Sequence, residues 1–299
     1  MKRWDADQMR EIGEKLFAKI HRQKYHAHHN HEIHGLAREI DEWLPKGIQS
    51  LLEGTYDPRC LKRYYFSDEV VDQLHLSDRI FQHILLMQLK PTFKHIMNPN
   101  LFHLSGPTGV RYATERIRQV LEEEKPGYVL RVDIKSYYAS IPHYKLLHDI
   151  KKYYHDPRVV AMLTNIVTNP IDTPRGYKNP SHGIALRGPL SQFFSAIYLK
   201  PLDDAFSGMD VAYFRFQDDV LVLCKTKRQL NRARRRKIWY ACFVKRVSIS
   251  TLRHLPWDCY CDVSENRTPR LVITSGLLVS QLSCLLATLR NFQKLVVFA

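Results

Sequence analysis

The 299-residue sequence contains no run of about 18 uncharged apolar residues, so no segment reads as a membrane-spanning helix. Its first residues, Met1-Lys2-Arg3-Trp4-Asp5, lack the apolar centre of a secretion signal, and the expectation is a cytoplasmic protein with no membrane partner. Cysteine pairing is missing as well. The six cysteines (Cys60, Cys224, Cys242, Cys259, Cys261, Cys284) hold no CxxC spacing, which argues against a zinc ribbon or a disulfide frame and leaves free thiols. Acid is absent over one long stretch: between Val220 and Trp257 the chain has eleven Lys or Arg residues and no Asp or Glu.

What is present is a 44% hydrophobic composition, enough for one large domain or two, and a formal charge of +15. Such an excess attracts phosphate backbones by counterion release, so a polyanionic partner is expected. The run Lys225 to Lys237 (KTKRQLNRARRRK) is part of that signal, although a basic helix face in solvent would look the same.

Along the chain, Met9, Ile12, Leu16, Phe17 and Ile20 fall at helical spacing and predict an amphipathic helix from Ala6 to Ile20. The six histidines from His21 to His34 read as solvated or RNA-facing, because a closed metal site needs four well-placed ligands. Leu36 to Leu44 reads as a helix broken by Pro45-Lys46-Gly47, and Tyr56-Asp57-Pro58-Arg59 marks another break. Cys60 to Phe66 alternates basic and aromatic residues in a strand, a mixture that suits phosphates and stacked bases, or equally a packing strand with solvated cations.

Ser77 reads as the N-cap of a long helix that buries Ile80, Ile84, Leu85 and Met87. Gly106-Pro107-Thr108-Gly109 is a turn before a helix from Ala113 to Glu124. Leu146 to Val167 reads as mostly helical, and Asn169 to Ser181 as a polar loop. Pro189 suits the first turn of a helix striped by Phe193, Phe194, Ile197 and Tyr198, which should end near Pro201 and leave Asp203 and Asp204 exposed.

Two places hold acid where packing alone does not ask for it. The apolar strand Tyr128 to Ile134 carries Asp133 at its end, and charge burial is costly without a function or a partner. Further on, Asp218 and Asp219 sit between the apolar runs Tyr213-Phe214-Arg215-Phe216 and Val220 to Leu223, which reads as a β-hairpin with acid at its tip. Taken alone, such a pair is ordinary turn chemistry.

Taken in order, strand with terminal Asp, helix, Gly-containing turn with helix, and Asp-Asp hairpin, the chain resembles bacterial reverse transcriptases of the retron, group II intron, diversity-generating and defence-associated kind, over about Arg59 to Arg236. LRVDIKSYYASIPH is similar to that family's first palm motif, GIALRGPLSQFFSAIYLKPLD to its second, and YFRFQDDVLVL to its third; LSDRIFQHILLMQLKPTF and SGPTG resemble its fingers region. The resemblance implies an α+β fold, a right-hand fingers and palm with an antiparallel palm sheet on helices. It implies an RNA-directed DNA polymerase that joins dNTPs to a primer 3′-hydroxyl on an RNA template, using two Mg²⁺ ions.

In that scheme Asp133 and Asp218 bridge the metals, Asp219 supports the site, and the Ile134 carbonyl completes a coordination shell. Tyr138 stands where relatives carry an aromatic gate against the ribose 2′-hydroxyl, with core packing beside Tyr137 as the other reading. Arg187 and Gln192, with Gly188, would line the nucleotide and template, and Arg79, Lys62 and Arg63 are candidates for the triphosphate or template backbone. A structured non-coding RNA is the expected further partner.

The sequence departs from the family at Phe216 (often Tyr), Leu186 (often Gln), Ser191-Gln192 (often Ser-Pro) and Arg187 (usually Gly), the last bearing on the nucleotide pocket. Residues 1–55 read as a helical extension, 56–236 as fingers and palm, and 237–299 as an atypical segment in place of the expected thumb. A frameshift near Lys237 is one account of that segment, and the coding DNA would test it. The competing functions are an RNA-binding palm-like protein with weak or no catalysis, and a two-metal nuclease. Defence, retrohoming and tropism switching stay open as biological roles.

Overall fold

Burial runs almost unbroken along residues 213–216 and 220–224, so these strands are covered on both faces, as their apolar sequence requires. The computed structural model describes residues 4–67, 70–104, 109–133, 137–185, 188–241, 248–252 and 262–263, with backbone alone at 94, 132–133, 236–241, 248–252 and 262–263. In chain order the elements are α1 (Ala6–Gln23), α2 (Glu32–Arg38), α3 (Ile40–Glu53), β1 (Leu61–Tyr65), β2 (Val70–Gln73), α4 (Leu76–Ile96), α5 (Gly109–Glu124), β3 (Tyr128–Asp133), α6 (Tyr137–Ser140) and α7 (His143–Tyr153). They continue as α8 (Pro157–Val167), β4 (Ile171–Thr173), β5 (Gly176–Lys178), α9 (Ser191–Ser207), β6 (Ala212–Phe216), β7 (Asp219–Cys224), α10 (Lys227–Ala241), β8 (Ser248–Leu252) and β9 (Asp262–Val263). Contacts divide them into two units, residues 1–96 with 138–198, and residues 97–137 with 199–299.

The first unit packs α1, α3 and α4 closely. A Cβ on Gly47 would stand 1.9 Å from Phe81 Cζ and one on Gly13 2.8 Å from Leu44 Cδ1, so both glycines let neighbouring side chains approach the helix backbone. Phe81 in turn meets Trp43 edge-on at 5.6 Å. A four-stranded sheet of order β2-β1-β4-β5 completes the unit, with β1 antiparallel to β2 (Arg63 opposite Asp72) and parallel to β4.

The second unit holds an antiparallel sheet of order β6-β7-β3-β8-β9. The register sets Val129 opposite Leu223 and Val132 opposite Val220. On one face, Ala113, Ile117 and Val120 of α5, at helical spacing, bury against Val129, Phe214, Phe216, Leu221 and Leu223. Each Val, Leu or Phe so covered contributes about 1.5–3 kcal/mol. α10 also packs against β3 and β7, burying Leu230 and Ala233. The α+β character and the antiparallel sheet agree with the sequence expectation.

Several boundaries do not. Pro45 lies inside α3, and the break falls earlier, at Glu39, because Gly47 serves the contact with Phe81 instead of a turn. Ser77 lies inside α4; the His75 ring accepts the Ser77 N–H (3.4 Å) and the His75 carbonyl accepts from Arg79 (3.0 Å), so His75 caps that end. Met87 is 46% exposed, while burial moves on to Leu89 and Phe93. Residues 169–181 form the β4–β5 hairpin, closed by Gly176 at φ 102 and a Thr173 hydroxyl bond to the Gly176 carbonyl. α9 continues through Pro201 to Ser207, since Leu202, Asp203 and Phe206 are buried beyond it.

A helix does follow the hairpin, as α10, although its sequence suggested little more than basic charge. The turn at Gly106 to Thr108 lies outside the described residues, as does most of the atypical segment beyond Ala241. No helix among the described residues is long and apolar enough to cross a membrane.

Candidate active site

The tip of the β6–β7 hairpin is a two-residue turn, Gln217-Asp218, closed by the pair Phe216 and Asp219. Gln217 has φ 54, a left-handed conformation that costs a residue with a side chain about 1–2 kcal/mol and so needs support. Support comes from both sides. The Gln217 N–H donates to Nδ1 of His103 (3.0 Å), and Nη1 of Arg215 donates to the Gln217 carbonyl (2.9 Å). His103 stands in a segment pinned along β6 by Phe102 N–H to the Arg215 carbonyl (3.3 Å) and Arg215 N–H to the Asn100 carbonyl (3.2 Å).

Arg215 itself is buried. Its Nε and Nη2 donate to the two oxygens of Asp203 at 2.7 and 2.6 Å, and the Tyr213 hydroxyl donates to the same carboxylate. Burial alone would lower the guanidinium pKa, but the Asp203 charge and hydrogen bonds more than offset it and raise it. Burial, then Asp203, pushes the Tyr213 phenol well up. Asp203 is 0% exposed, which corrects its reading as a surface acid, and the reason is this partner twelve residues on. Asp204 is exposed and bonds to Lys200 (2.7 Å).

β3 brings the other acid. The β3–β7 ladder runs as far as Val132 with Val220, the residues adjoining Asp133 on β3 and Asp219 on β7. Arg131, on β3, reaches Asp219 Oδ1 with Nη2 at 3.2 Å and Nε at 3.4 Å. Asp218 and Asp219 are both half-buried. The Asp133 side chain and Ile134 lie outside the described residues, and among the described ones no group of three or more His, Cys, Asp or Glu gathers as a metal site. A cleft lined by Phe102, Ile117, Phe214 and Leu221, with Arg131 and Asp219 also in its wall, is mostly apolar.

The remaining candidates belong to the first unit. The Tyr138 carbonyl accepts from Ile184 N–H (3.0 Å) and the Ile141 carbonyl from Gly183 N–H (2.8 Å), which fixes the Gly183-Ile184 segment beside the half-buried Tyr138. Gln192 is half-buried in the first turn of α9, and Arg187 lies outside the described residues. Arg63 is committed to Asp72 through two bonds of 2.7 and 2.8 Å, which raise its pKa, whereas Lys62 is exposed. Burial lowers the pKa of Arg79.

Sequence reasoning missed Asp203, Arg215 and His103. One signal was available: an Arg between Phe214 and Phe216 in a fully apolar strand needs a buried anion, and few acids lie nearby.

Similar proteins are known. Protein YkfC of Escherichia coli (strain K12) is 25% identical over 162 residues, which is 51% of this chain and 42% of that protein. The structure of apo telomerase from Candida Tropicalis aligns with a TM-score of 0.50 at 12% identity, over 72% of this chain and 49% of that one. A chain of the partial Cas6-RT-Cas1--Cas2 complex aligns with a TM-score of 0.45 at 17% identity, over 80% of this chain and 42% of that one. The chain thus spans less than half the length of each. Residues 70–238, more than half of its length, match the family model described as Reverse transcriptase (RNA-dependent DNA polymerase), and the chain belongs to that family.

Proposed function

We propose that the protein is an RNA-directed DNA polymerase that extends a nucleic-acid primer with dNTPs on an RNA template. The observation that supports this reading is the β3–β7 register, which pairs Val132 with Val220, the neighbours of Asp133 and Asp219, although 133 and 218 lie 85 positions apart in the chain. The donors on the hairpin suit a hard cation: the half-buried carboxylates of Asp218 and Asp219, with Arg131 as the neighbouring counter-charge. Asp133, Asp218 and the Ile134 carbonyl would hold two Mg²⁺ ions, with Asp219 beside them. Bound there, the ions stabilise the attacking and leaving oxygens of the phosphoryl transfer.

The chain's own residues do the rest in this reading. Asp133 and Asp218 fix the geometry, Tyr138 screens the sugar, and Gln192, Arg187, Gly188, Lys62, Arg63 and Arg79 contact nucleotide or template. Residues 1–55, 56–236 and 237–299 serve as extension, fingers with palm, and atypical tail. A cytoplasmic protein holding a structured non-coding RNA, in a defence role among others, fits the charge of +15.

Primer extension on an RNA template tests this. Asp218→Ala and Asp219→Ala should each lower the rate, Asp218→Ala by about a hundredfold or more. Equal incorporation by variant and parent would sink the assignment. A second reading, an RNA-binding protein with weak catalysis, is favoured by the Arg131–Asp219 ion pair, which already engages one of the acids. It predicts tight RNA binding that Asp218→Ala leaves unchanged and no extension by the parent.

A further inference from the structure

The hairpin turn is gripped by buried groups that the proposed chemistry does not itself use. Arg215 is 1% exposed and Asp203 0%. Filling the core does not require them, since apolar residues of similar volume often replace a buried ion pair without loss of stability. An apolar residue cannot donate a hydrogen bond, however, and Arg215 has a donor left over. With Nε and Nη2 on Asp203, Nη1 is directed to the Gln217 carbonyl at 2.9 Å.

From the other side, Nδ1 of His103 takes the Gln217 N–H at 3.0 Å. That bond requires an unprotonated Nδ1, hence a ring that carries no proton there. His103 is 4% exposed, so water is a poor substitute for it. The residue between them has the left-handed φ of 54, which Gln does not hold unaided, and the next residue is Asp218. Both hydrogen-bonding groups of the Gln217 backbone are therefore fixed, one by a strand and helix pair, the other by the segment before α5.

We propose that Arg215, Asp203 and His103 are positioning residues that clamp Gln217 from two sides and thereby aim the Asp218 carboxylate. The catalytic consequence rests on the polymerase reading above; the clamp does not.

The test uses the full chain with three variants: Arg215→Met/Asp203→Leu, which replaces the ion pair by apolar volume, His103→Phe, which removes the acceptor, and His103→Asn, whose side-chain oxygen can stand where Nδ1 stands. Two readouts are taken, backbone hydrogen exchange over residues 214–219 and kcat and KM for primer extension, with urea unfolding to confirm the fold. The expected result is exchange about tenfold or more faster at the turn in the first two variants. Their kcat should fall about tenfold or more with KM for dNTP within about twofold, and His103→Asn should recover most of the loss. If the double variant does not fold, His103→Phe decides.

Unchanged exchange at the turn overturns the clamp. A loosened turn with unchanged kcat overturns its role in aiming Asp218. A parent that extends no primer defeats the polymerase reading instead, and the exchange measurement alone then decides the clamp.

Discussion

Arg131 stands two residues before Asp133 on β3 and contacts Asp219 at 3.2 Å, with side chains 36% and 21% exposed. A pair so open to water is worth about 1 kcal/mol or less. Its larger effect is on charge. Removing a cation from beside Asp219 makes the local potential more negative and favours an incoming divalent cation. Arg131→Met should therefore change the urea midpoint little, while the Mg²⁺ concentration for half-maximal primer extension falls severalfold. A rise in that concentration would mean that Arg131 holds Asp219 in place instead of competing for it. Asp133 and Asp219 stand out in the sequence because one ends and the other begins an apolar strand, and Asp218 because it lies in the turn between two such strands. Asp203 was harder to read, because hydropathy assigns a charged residue to the surface and only the apolar strand around its partner Arg215 hints at a buried anion.

At the scale of the element, α4 carries a titration that the active site does not. His83 is half-buried on it, and burial, then Arg79, Lys90 and Lys19, push its pKa down to about 4. Below the ordinary value of 6.5 the unfolded chain binds a proton that the folded chain refuses, so stability falls as pH falls. Its contribution is complete above pH 6.5 and is lost progressively towards about 4, on the order of 2 kcal/mol after discounting for partial exposure. His83→Gln should flatten that arm of the urea stability profile; a profile as steep as the parent's would exclude His83 as its source. Elements were legible where their period was long enough to declare itself, as in α1 and the β6–β7 hairpin. They were misjudged where one residue contradicted its surroundings. Pro201 removes a helix hydrogen bond at a cost of about 3 kcal/mol, yet burial of Ile197, Tyr198, Leu202 and Phe206 on either side carries α9 through it. The strands β4 and β5 have three residues each, too few for alternation to show.

Over the whole molecule, the charge of +15 is the property most directly tied to a polyanionic partner, and it is unevenly spread. On α10, Arg228, Arg232 and Arg235 are exposed at helical spacing, in a stretch that has no acid to balance them. On α1, Lys15, Lys19 and Arg22 are exposed too, but Lys15 already pairs with Glu11. Each phosphate contact made by a cation releases counterions and adds about 0.7 to the slope of log K against log salt for a single strand. If the α10 face binds RNA, changing its three arginines to serine should lower that slope by about 2 and weaken binding across sequences alike. The matching change of Lys15, Lys19 and Arg22 removes the same net charge, so a general field effect would move both variants equally, whereas direct contact by α10 moves only the first. Binding isotherms from about 50 to 200 mM salt separate the two, and equal slopes for the two triple variants would show that α10 is a solvated face and that the phosphate contacts are made elsewhere.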